Sequence, residues 1–129
     1  MKKKALSYRD PWKCYKLLLL NQIDYFRNFE DNAAFLDQVH YHMEEEFIEK
    51  GADVVCAGEA CSSIIFLVHG VLELLIFDND GNEFVLDVLK PGDIVGQYSV
   101  IFSESFLFTV RTKSNARILH LRNSFFTSQ

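Results

Sequence analysis

The segment from Gly92 to Thr112 concentrates residue types that can hold a polar ligand. Gly92 and Gly96 bracket a short apolar run, and Gln97 and Ser99 follow with a side-chain amide and a hydroxyl. Glycine lets the backbone approach a ligand closely, while amides and hydroxyls both donate and accept hydrogen bonds. The segment therefore predicts a cradle for a polar ligand, in a loop between two strands.

A second candidate site has metal-binding chemistry. His40 and His42, followed by Glu46, could give a metal two imidazole nitrogens and a carboxylate. The spacing is similar to part of the metal motif of the cupins, but the glycine well before the first histidine of that motif is missing. The other histidines, His69 and His120, match no metal-binding spacing. We keep a cupin-like metal-binding protein as an alternative and expect no metal.

Catalytic motifs are absent from the sequence. There is no nucleophile elbow with a Ser-His-Asp order and no phosphate loop of the Gly-Lys-Ser/Thr type. The acidic run Glu44-Glu45-Glu46 is expected to form a solvated face, not a set of catalytic carboxylates. We therefore expect that the protein is not an enzyme.

Composition limits the class of protein. The 129 residues suffice for one domain, and 12 phenylalanines among 49% hydrophobic residues indicate a packed core. A net charge of −5 disfavours nucleic acid as a partner. No apolar run is long enough for direct membrane insertion, and Lys2-Lys3-Lys4 precedes no signal sequence. Three cysteines without such a signal favour reduced thiols and a cytoplasmic location, which includes the cytosolic face of a membrane protein.

The elements that must position the cradle change character along the chain. The first third is predicted to be helical, with one helix over Tyr15–Ile23, an apolar series Ile23, Phe26 and Phe29, and a second helix from a cap at Asp31-Asn32 to Val39. From Glu46 onward, short apolar runs alternate with turn residues, which predicts a β sandwich or barrel. The predicted strands and turns are Ser63–Val68, Val71–Phe77, a hairpin loop over Asp78–Asn82, Glu83–Leu89 with Phe84, Leu86 and Val88 on one face, a turn over Lys90–Asp93, Phe106–Thr112 and Arg117–Leu121.

The order of these signals strongly resembles the cyclic nucleotide-binding domain family. The matching motifs run from Phe47-x-x-Lys50-Gly51 and Gly58-Glu59 through Ile64-x-Phe66-x-Val68-x-Gly70-x-Leu72-x-Leu74 to Leu89-x-Pro91-Gly92-Asp93-x-x-Gly96. The resemblance implies a mainly β fold, an eight-stranded jelly-roll barrel with N-terminal helices and the start of a C-terminal helix. We expect one domain over residues 1–129, with a helical lead-in over 1–45, the barrel over 46–121 and the helix start over 122–129.

In that family, a short helix and loop form a phosphate-binding cassette with the pattern Phe-Gly-Glu-x-Ala-Leu, a few variable residues, and Pro-Arg-x-Ala-Thr. The glutamate accepts from the ribose hydroxyl, and the arginine pairs with the cyclic phosphate. The resemblance places the cassette at Gly96, Gln97, Tyr98, Ser99, Phe106, Leu107 and Thr109.

The chain departs from this cassette where the phosphate would bind. Gly96 and Thr109 match, but Gln97 replaces the glutamate, Ser105 the proline and Phe106 the arginine. Losing one charge-assisted hydrogen bond costs about 1.5–3 kcal/mol, which is roughly tenfold to over a hundredfold in affinity. We therefore expect weak or absent binding of cAMP and cGMP, and no other cofactor.

The resemblance implies a regulatory domain of a larger signalling protein, most like those of eukaryotic cation channels or kinases. The Leu20-x-x-Ile23-x-x-Phe26 series favours the channel type. In the family, ligand binding draws in a C-terminal lid helix and biases an attached effector region, often within a homo-oligomer of the parent protein. The open alternative is a genuine cAMP or cGMP sensor in which Arg111 or Lys113 supplies the missing charge.

Overall fold

The computed structural model describes residues 10–28 and 31–124, in which a helical unit ends at Met43 and a β unit begins at Glu44. The helical unit contains α1 (Pro11–Leu20), α2 (Asp24–Arg27), α3 (Asn32–Val39) and a 3-10 helix (His40–His42). None of the helices among the described residues is long and apolar enough to cross a bilayer.

Helix α1 begins at Pro11 because the two residues at its start favour a helix N-terminus. The Asp10 carboxylate accepts a hydrogen bond from the Lys13 N–H at 2.9 Å, and proline at the first helical position lacks an N–H that would need a partner. The helix therefore starts four residues before the predicted Tyr15 and ends at Leu20, short of the predicted Ile23.

Helix α3 confirms the second predicted helix, with Asp31 at the position before its first residue. The predicted cap position is therefore correct, but the Asp31 side chain makes no capping hydrogen bond. The Lys13 ammonium lies 2.7 Å from the Asp37 carboxylate, which ties α1 to α3 and lowers the pKa of Asp37. Ile23 and Phe26 of the predicted apolar series are buried, whereas Phe29 lies outside the described residues.

The β unit confirms the mainly β, jelly-roll fold. Its strands form two four-stranded antiparallel sheets, in the orders β1-β8-β3-β6 and β2-β7-β4-β5. A shared core draws on both sheets, including Ile65 and Ile118 from one and Leu72 and Val110 from the other. The two sheets are not closed into a barrel. The strands are β1 (Glu44–Ile48), β2 (Asp53–Val55), β3 (Ser63–His69), β4 (Leu72–Phe77), β5 (Glu83–Leu89), β6 (Ile94–Val95), β7 (Thr109–Thr112) and β8 (Ala116–Arg122), with helix α4 (Gln97–Ile101) between β6 and β7.

The β4–β5 hairpin forms around the predicted loop. The Asp78 carboxylate accepts from the N–H groups of Asp80 and Asn82 at 2.9 and 2.8 Å, which closes the turn. The prediction that Phe84, Leu86 and Val88 share one face is wrong. Phe84 pairs with Ile76 of β4, and Val88 pairs with Glu73. Ile76 and Glu73 are three residues apart, so they lie on opposite faces of β4, and a bulge in the pairing gives β5 this shift in register.

The acidic run forms strand β1, where each carboxylate meets a basic residue of β8. Glu44 accepts from Arg122 at 2.9 Å and Glu45 from Arg117 at 2.7 Å, while Glu46 lies 3.6 Å from His120. The hydrogen bond from Arg122 lowers the pKa of Glu44. The run is exposed, as predicted, and it is also an ion-paired edge of the first sheet.

Two predicted boundaries shift at the end of the chain. Strand β7 begins at Thr109, because residues 107 and 108 form a bend and residue 106 is not part of a strand. Arg122 ends β8, so it does not begin the predicted C-terminal helix. Residue 124 is helical, and the rest of that predicted helix, 125–129, lies outside the described residues.

Gly70 joins β3 to β4 at a point of very close backbone contact. Its φ is +97°, and a Cβ at this position would lie 2.5 Å from the Asn115 carbonyl oxygen. Only glycine fits such a position. This accounts for Gly70 in the motif from Ile64 to Leu74, which is one of the motifs that predicted the fold.

Candidate ligand-binding site

A cavity of about 280 Å³ lies in the β unit beside helix α4. Six of the seven residues predicted for the cassette line it, and the seventh, Thr109, does not. The segment predicted to form a cradle therefore borders a concave site within the described part of the chain. The six lining residues are Gly96, Gln97, Tyr98, Ser99, Phe106 and Leu107.

Gly96 is required where strand β6 turns into helix α4. Its φ is +87°, a left-handed backbone conformation that residues other than glycine rarely adopt. A Cβ here would also lie 3.1 Å from Cε1 of Phe106 and 3.2 Å from the Ser63 carbonyl oxygen. Neighbouring Cys61 is buried, which raises the pKa of its thiol, and all three cysteines are free thiols in the structure.

Phe106 is buried, with 5% of its surface exposed, and its ring lies against Gly96. Its N–H donates to the Glu59 carbonyl at 3.0 Å, and its own carbonyl accepts from the Gly58 N–H at 2.8 Å. The side chain is thus held in the wall of the cavity by backbone bonds on both sides. Leu107 is 74% exposed and lies at the rim, so it does not fill the cavity.

Thr109 has a structural partner outside the cavity. Its hydroxyl accepts from the Ala57 N–H at 3.1 Å, and the residue is buried at the start of β7. The hydroxyl therefore fixes the loop before Gly58, and Thr109 is not among the residues that line the cavity.

We expect Thr109→Val to lower the stability of the β unit, because valine keeps the shape but leaves the Ala57 N–H without its acceptor. The loss is about 0.5–1.5 kcal/mol, or several degrees in the melting temperature followed by circular dichroism. Thr109→Ser keeps the hydroxyl and serves as the matched control. A valine variant as stable as the wild type would show that this bond contributes nothing.

The cavity contains no cation among the described residues that line it. The one formally charged side chain among these described lining residues is that of Glu104, which is acidic. The remaining polar groups are the amide of Gln97 and the hydroxyls of Tyr98 and Ser99, and most of the wall is apolar.

Arg111, a candidate substitute for the missing cation, is engaged elsewhere. Its Nε donates to Asp53 at 2.7 Å and its Nη1 to Glu83 at 2.6 Å, and these two carboxylates raise the pKa of the guanidinium. Arg111 thereby links β2, β7 and β5. Lys113 is exposed, and neither residue lines the cavity.

Sequence reasoning missed several lining residues. Leu74, Leu89 and Ile94 come from β4, β5 and β6, and their contribution depends on how the strands pair. Glu104 comes from the cassette loop itself, and its acidic character was a signal available in the sequence.

The alternative metal site has no converging ligands in the described chain. His40 is buried, with Nδ1 against the Asp37 carbonyl oxygen, and His42 is exposed. Glu46 lies beside His120 on β8. No group of three potential metal ligands forms among residues 10–28 and 31–124.

Comparison with known proteins gives a family match over most of the chain. The family model described as the cyclic nucleotide-binding domain matches residues 45–129. The potassium channel AKT1 of Arabidopsis thaliana is 31% identical over 108 residues, which are 84% of this chain and 12% of the channel. The chain thus spans about an eighth of the length of that relative.

Solved structures share the fold. The regulatory domain of Toxoplasma gondii PKA with cAMP superposes with a TM-score of 0.80 at 22% identity, covering 92% of this chain and 44% of that one. A second match is the regulatory subunit of a cAMP-independent protein kinase A from Trypanosoma brucei, solved as a triple mutant bound to cAMP in its A site. Its TM-score is 0.69 at 18% identity, and the match covers 86% of this chain and 40% of that one.

Proposed function

Because the chain belongs to the cyclic nucleotide-binding domain family, we propose that it is a regulatory domain of a larger signalling protein of the cation-channel type, whose cassette binds cAMP and cGMP weakly or not at all. The domain lies on the cytosolic side of that protein. It performs no catalysis and acts on the effector region of its parent through packing.

One observation carries the proposal: the Phe106 ring is buried in the wall of the cavity, at the position that the resemblance assigns to the family's arginine. A cyclic phosphate is an anion, and burying an anion without a cation to pair with it is strongly disfavoured. Gln97 can still bond a ribose hydroxyl, but it carries no charge. With Glu104 at the rim, the electrostatics of the cavity oppose the ligand instead of attracting it.

The Trypanosoma mutant supports the assignment of the missing charge to Phe106. In that protein, the three exchanges are a glutamate to alanine and, seven and eight residues later, a threonine to arginine and a valine to alanine. Ser99, Phe106 and Leu107 have the same spacing here. The introduced arginine of the mutant thus corresponds in spacing to Phe106.

A cassette without its ligand changes the role of the domain. In the switch that the family uses, ligand binding stabilises one position of the lid helix, and a ligand that distinguishes no states shifts no population. We infer that this domain works as a fixed structural or protein-interaction module of the channel, and that second-messenger levels do not alter its conformation.

Isothermal titration of the chain with cAMP and cGMP tests the proposal. We expect no saturable heat below millimolar concentrations for either nucleotide, because the main charge-assisted hydrogen bonds are absent. Thermal melting with 1 mM nucleotide should leave the midpoint unchanged, since a ligand that does not bind the native state cannot stabilise it. Micromolar binding of either nucleotide would contradict the degenerate cassette and favour the sensor alternative.

A further inference from the structure

The described residues that line the cassette cavity carry a negative formal charge, and it comes from one residue. Glu104 is the single formally charged side chain among the described residues lining the cavity. Within the described part of the chain, its carboxylate forms no ion pair or hydrogen bond. In contrast, exposed acidic residues of β1 form ion pairs with basic side chains, as in Glu44–Arg122 and Glu45–Arg117.

Glu104 is held in place by its backbone. Its N–H donates to the Ser99 carbonyl at 2.7 Å, which anchors the loop that follows α4 to the helix itself. The neighbouring Ser105 forms a bridge with Ala60. The carboxylate is therefore carried by a constrained turn at the edge of the cavity, and binding a ligand there needs little ordering of the backbone.

The remainder of the wall is suited to a flat apolar body. Phe106 and Phe108 contribute aromatic rings, and Leu74 and Leu89 contribute aliphatic surface from the second sheet. The volume of about 280 Å³ lies at the low end for ligand pockets, which commonly measure about 300–1,000 Å³. A ligand of one or two rings matches this size better than a larger molecule.

These observations lead to a ligand class opposite in charge to a cyclic nucleotide. We propose that the cassette cavity binds a small aromatic amine, with the ring in the apolar pocket and the protonated nitrogen beside Glu104. This inference rests on the proposed function, since it requires a cavity that no longer serves an anion. The Gln97 amide oxygen is a second acceptor for the ammonium group, from the same cavity wall.

Three indoles of similar shape test the charge preference directly. Tryptamine is cationic at pH 7, 3-ethylindole is neutral, and indole-3-propionate is anionic. Titrations of the chain, followed by amide chemical shifts over residues 96–108, should rank tryptamine first and the anion last. For a partly exposed pair, we expect tryptamine to bind about threefold to fivefold more tightly than 3-ethylindole at low salt, and this preference should shrink in 0.5 M salt.

Two variants locate the preference. Glu104→Gln should abolish the ranking of tryptamine over 3-ethylindole without changing the fold, because the side chain keeps its size and its exposed position. Glu49→Gln removes the same charge from an exposed residue that does not line the cavity, and it should leave the ranking unchanged. A ranking that persists in Glu104→Gln, equal affinity for all three indoles, or no binding of any of them would overturn the amine inference.

cAMP titrated under the same conditions keeps the two proposals apart. Absence of cAMP binding together with a failed indole ranking would leave the proposed function standing and overturn only the amine inference. Micromolar binding of cAMP would overturn the proposed function and the inference that rests on it.

Discussion

Phe106→Arg combined with Leu107→Ala is expected to give the chain measurable affinity for cAMP. The arginine would place a guanidinium in the wall of the cavity beside Gly96, where Phe106 now lies. Each charge-assisted hydrogen bond to the cyclic phosphate contributes about 1.5–3 kcal/mol, so we expect the affinity to rise roughly tenfold to over a hundredfold. The alanine opens the rim next to it. Isothermal titration against the wild type measures the gain.

The exchange also removes a buried aromatic ring, so its folding must be monitored. Truncating a buried phenylalanine costs about 3–5 kcal/mol, and circular dichroism together with melting shows whether the variant remains folded. Phe106→Met with Leu107→Ala makes the same change at the rim without the charge, and it should bind no nucleotide. A folded arginine variant that still ignores cAMP would show that the lost cation is not what separates this cassette from a functional one.

Adding a second family feature should strengthen the effect. Gln97→Glu in the arginine background replaces a neutral acceptor for the ribose hydroxyl with a charged one, which should improve cAMP binding further. The same exchange in the wild type should not, because it adds negative charge to a cavity that already carries Glu104 and has no lining cation among its described residues.

Gly70→Ala is expected to be the most destabilising small substitution in the β unit. Alanine pays about 1–2 kcal/mol for a left-handed backbone conformation, and φ at this residue is +97°. The added Cβ would lie 2.5 Å from the Asn115 oxygen and 2.9 Å from the Ala116 Cα, both backbone atoms that cannot rotate away. Overpacking typically adds 1–3 kcal/mol or more. The total is about 2–5 kcal/mol, a large part of the stability of a small domain.

Gly81→Ala separates the two causes. Gly81 has a similar φ of +85°, but nothing lies within 4 Å of the position of its Cβ. Its loss should be confined to the conformational cost, about 1–2 kcal/mol. Urea unfolding followed by circular dichroism measures both variants. Equal losses at the two glycines would show that the close approach to residues 115 and 116 relaxes at no cost.

Local signals accounted for much of the fold. The Asp78–Asn82 hairpin and the turn at Lys90–Asp93 depend on neighbouring residues, and the structure forms both turns where they were predicted. The left-handed Gly96 at the start of α4 likewise follows from a local requirement of the backbone. Helix α1 began earlier than predicted because the cap at Asp10 outweighed the leucine run as a start signal.

Long-range pairing decided what the sequence did not reveal. Arg111 is separated by 58 residues from Asp53 and by 28 from Glu83, so its engagement depends on strand order and register. Strict alternation along β5 had assigned Phe84 and Val88 to the same face, and the bulge between them puts them on opposite faces. At the site, the order of the motifs brought six predicted residues to one cavity, whereas the contributions of Leu74 and Leu89 required the two-sheet arrangement.

The pairing of β1 with β8 has a consequence for the order of events during synthesis. Among the described strands, β8 is the one neighbour of β1. Ile48 pairs with Ala116, although most of the sequence of the unit lies between these two residues. Strand β1, the first strand of the β unit to be synthesised, therefore cannot pair until β8, the last strand of the unit, has been synthesised. Since domains commonly fold as whole units while the chain is being made, this sheet is completed only after β8 has emerged. Until then, the acidic β1 carries its three carboxylates through solvent, where they discourage premature association with other nascent strands.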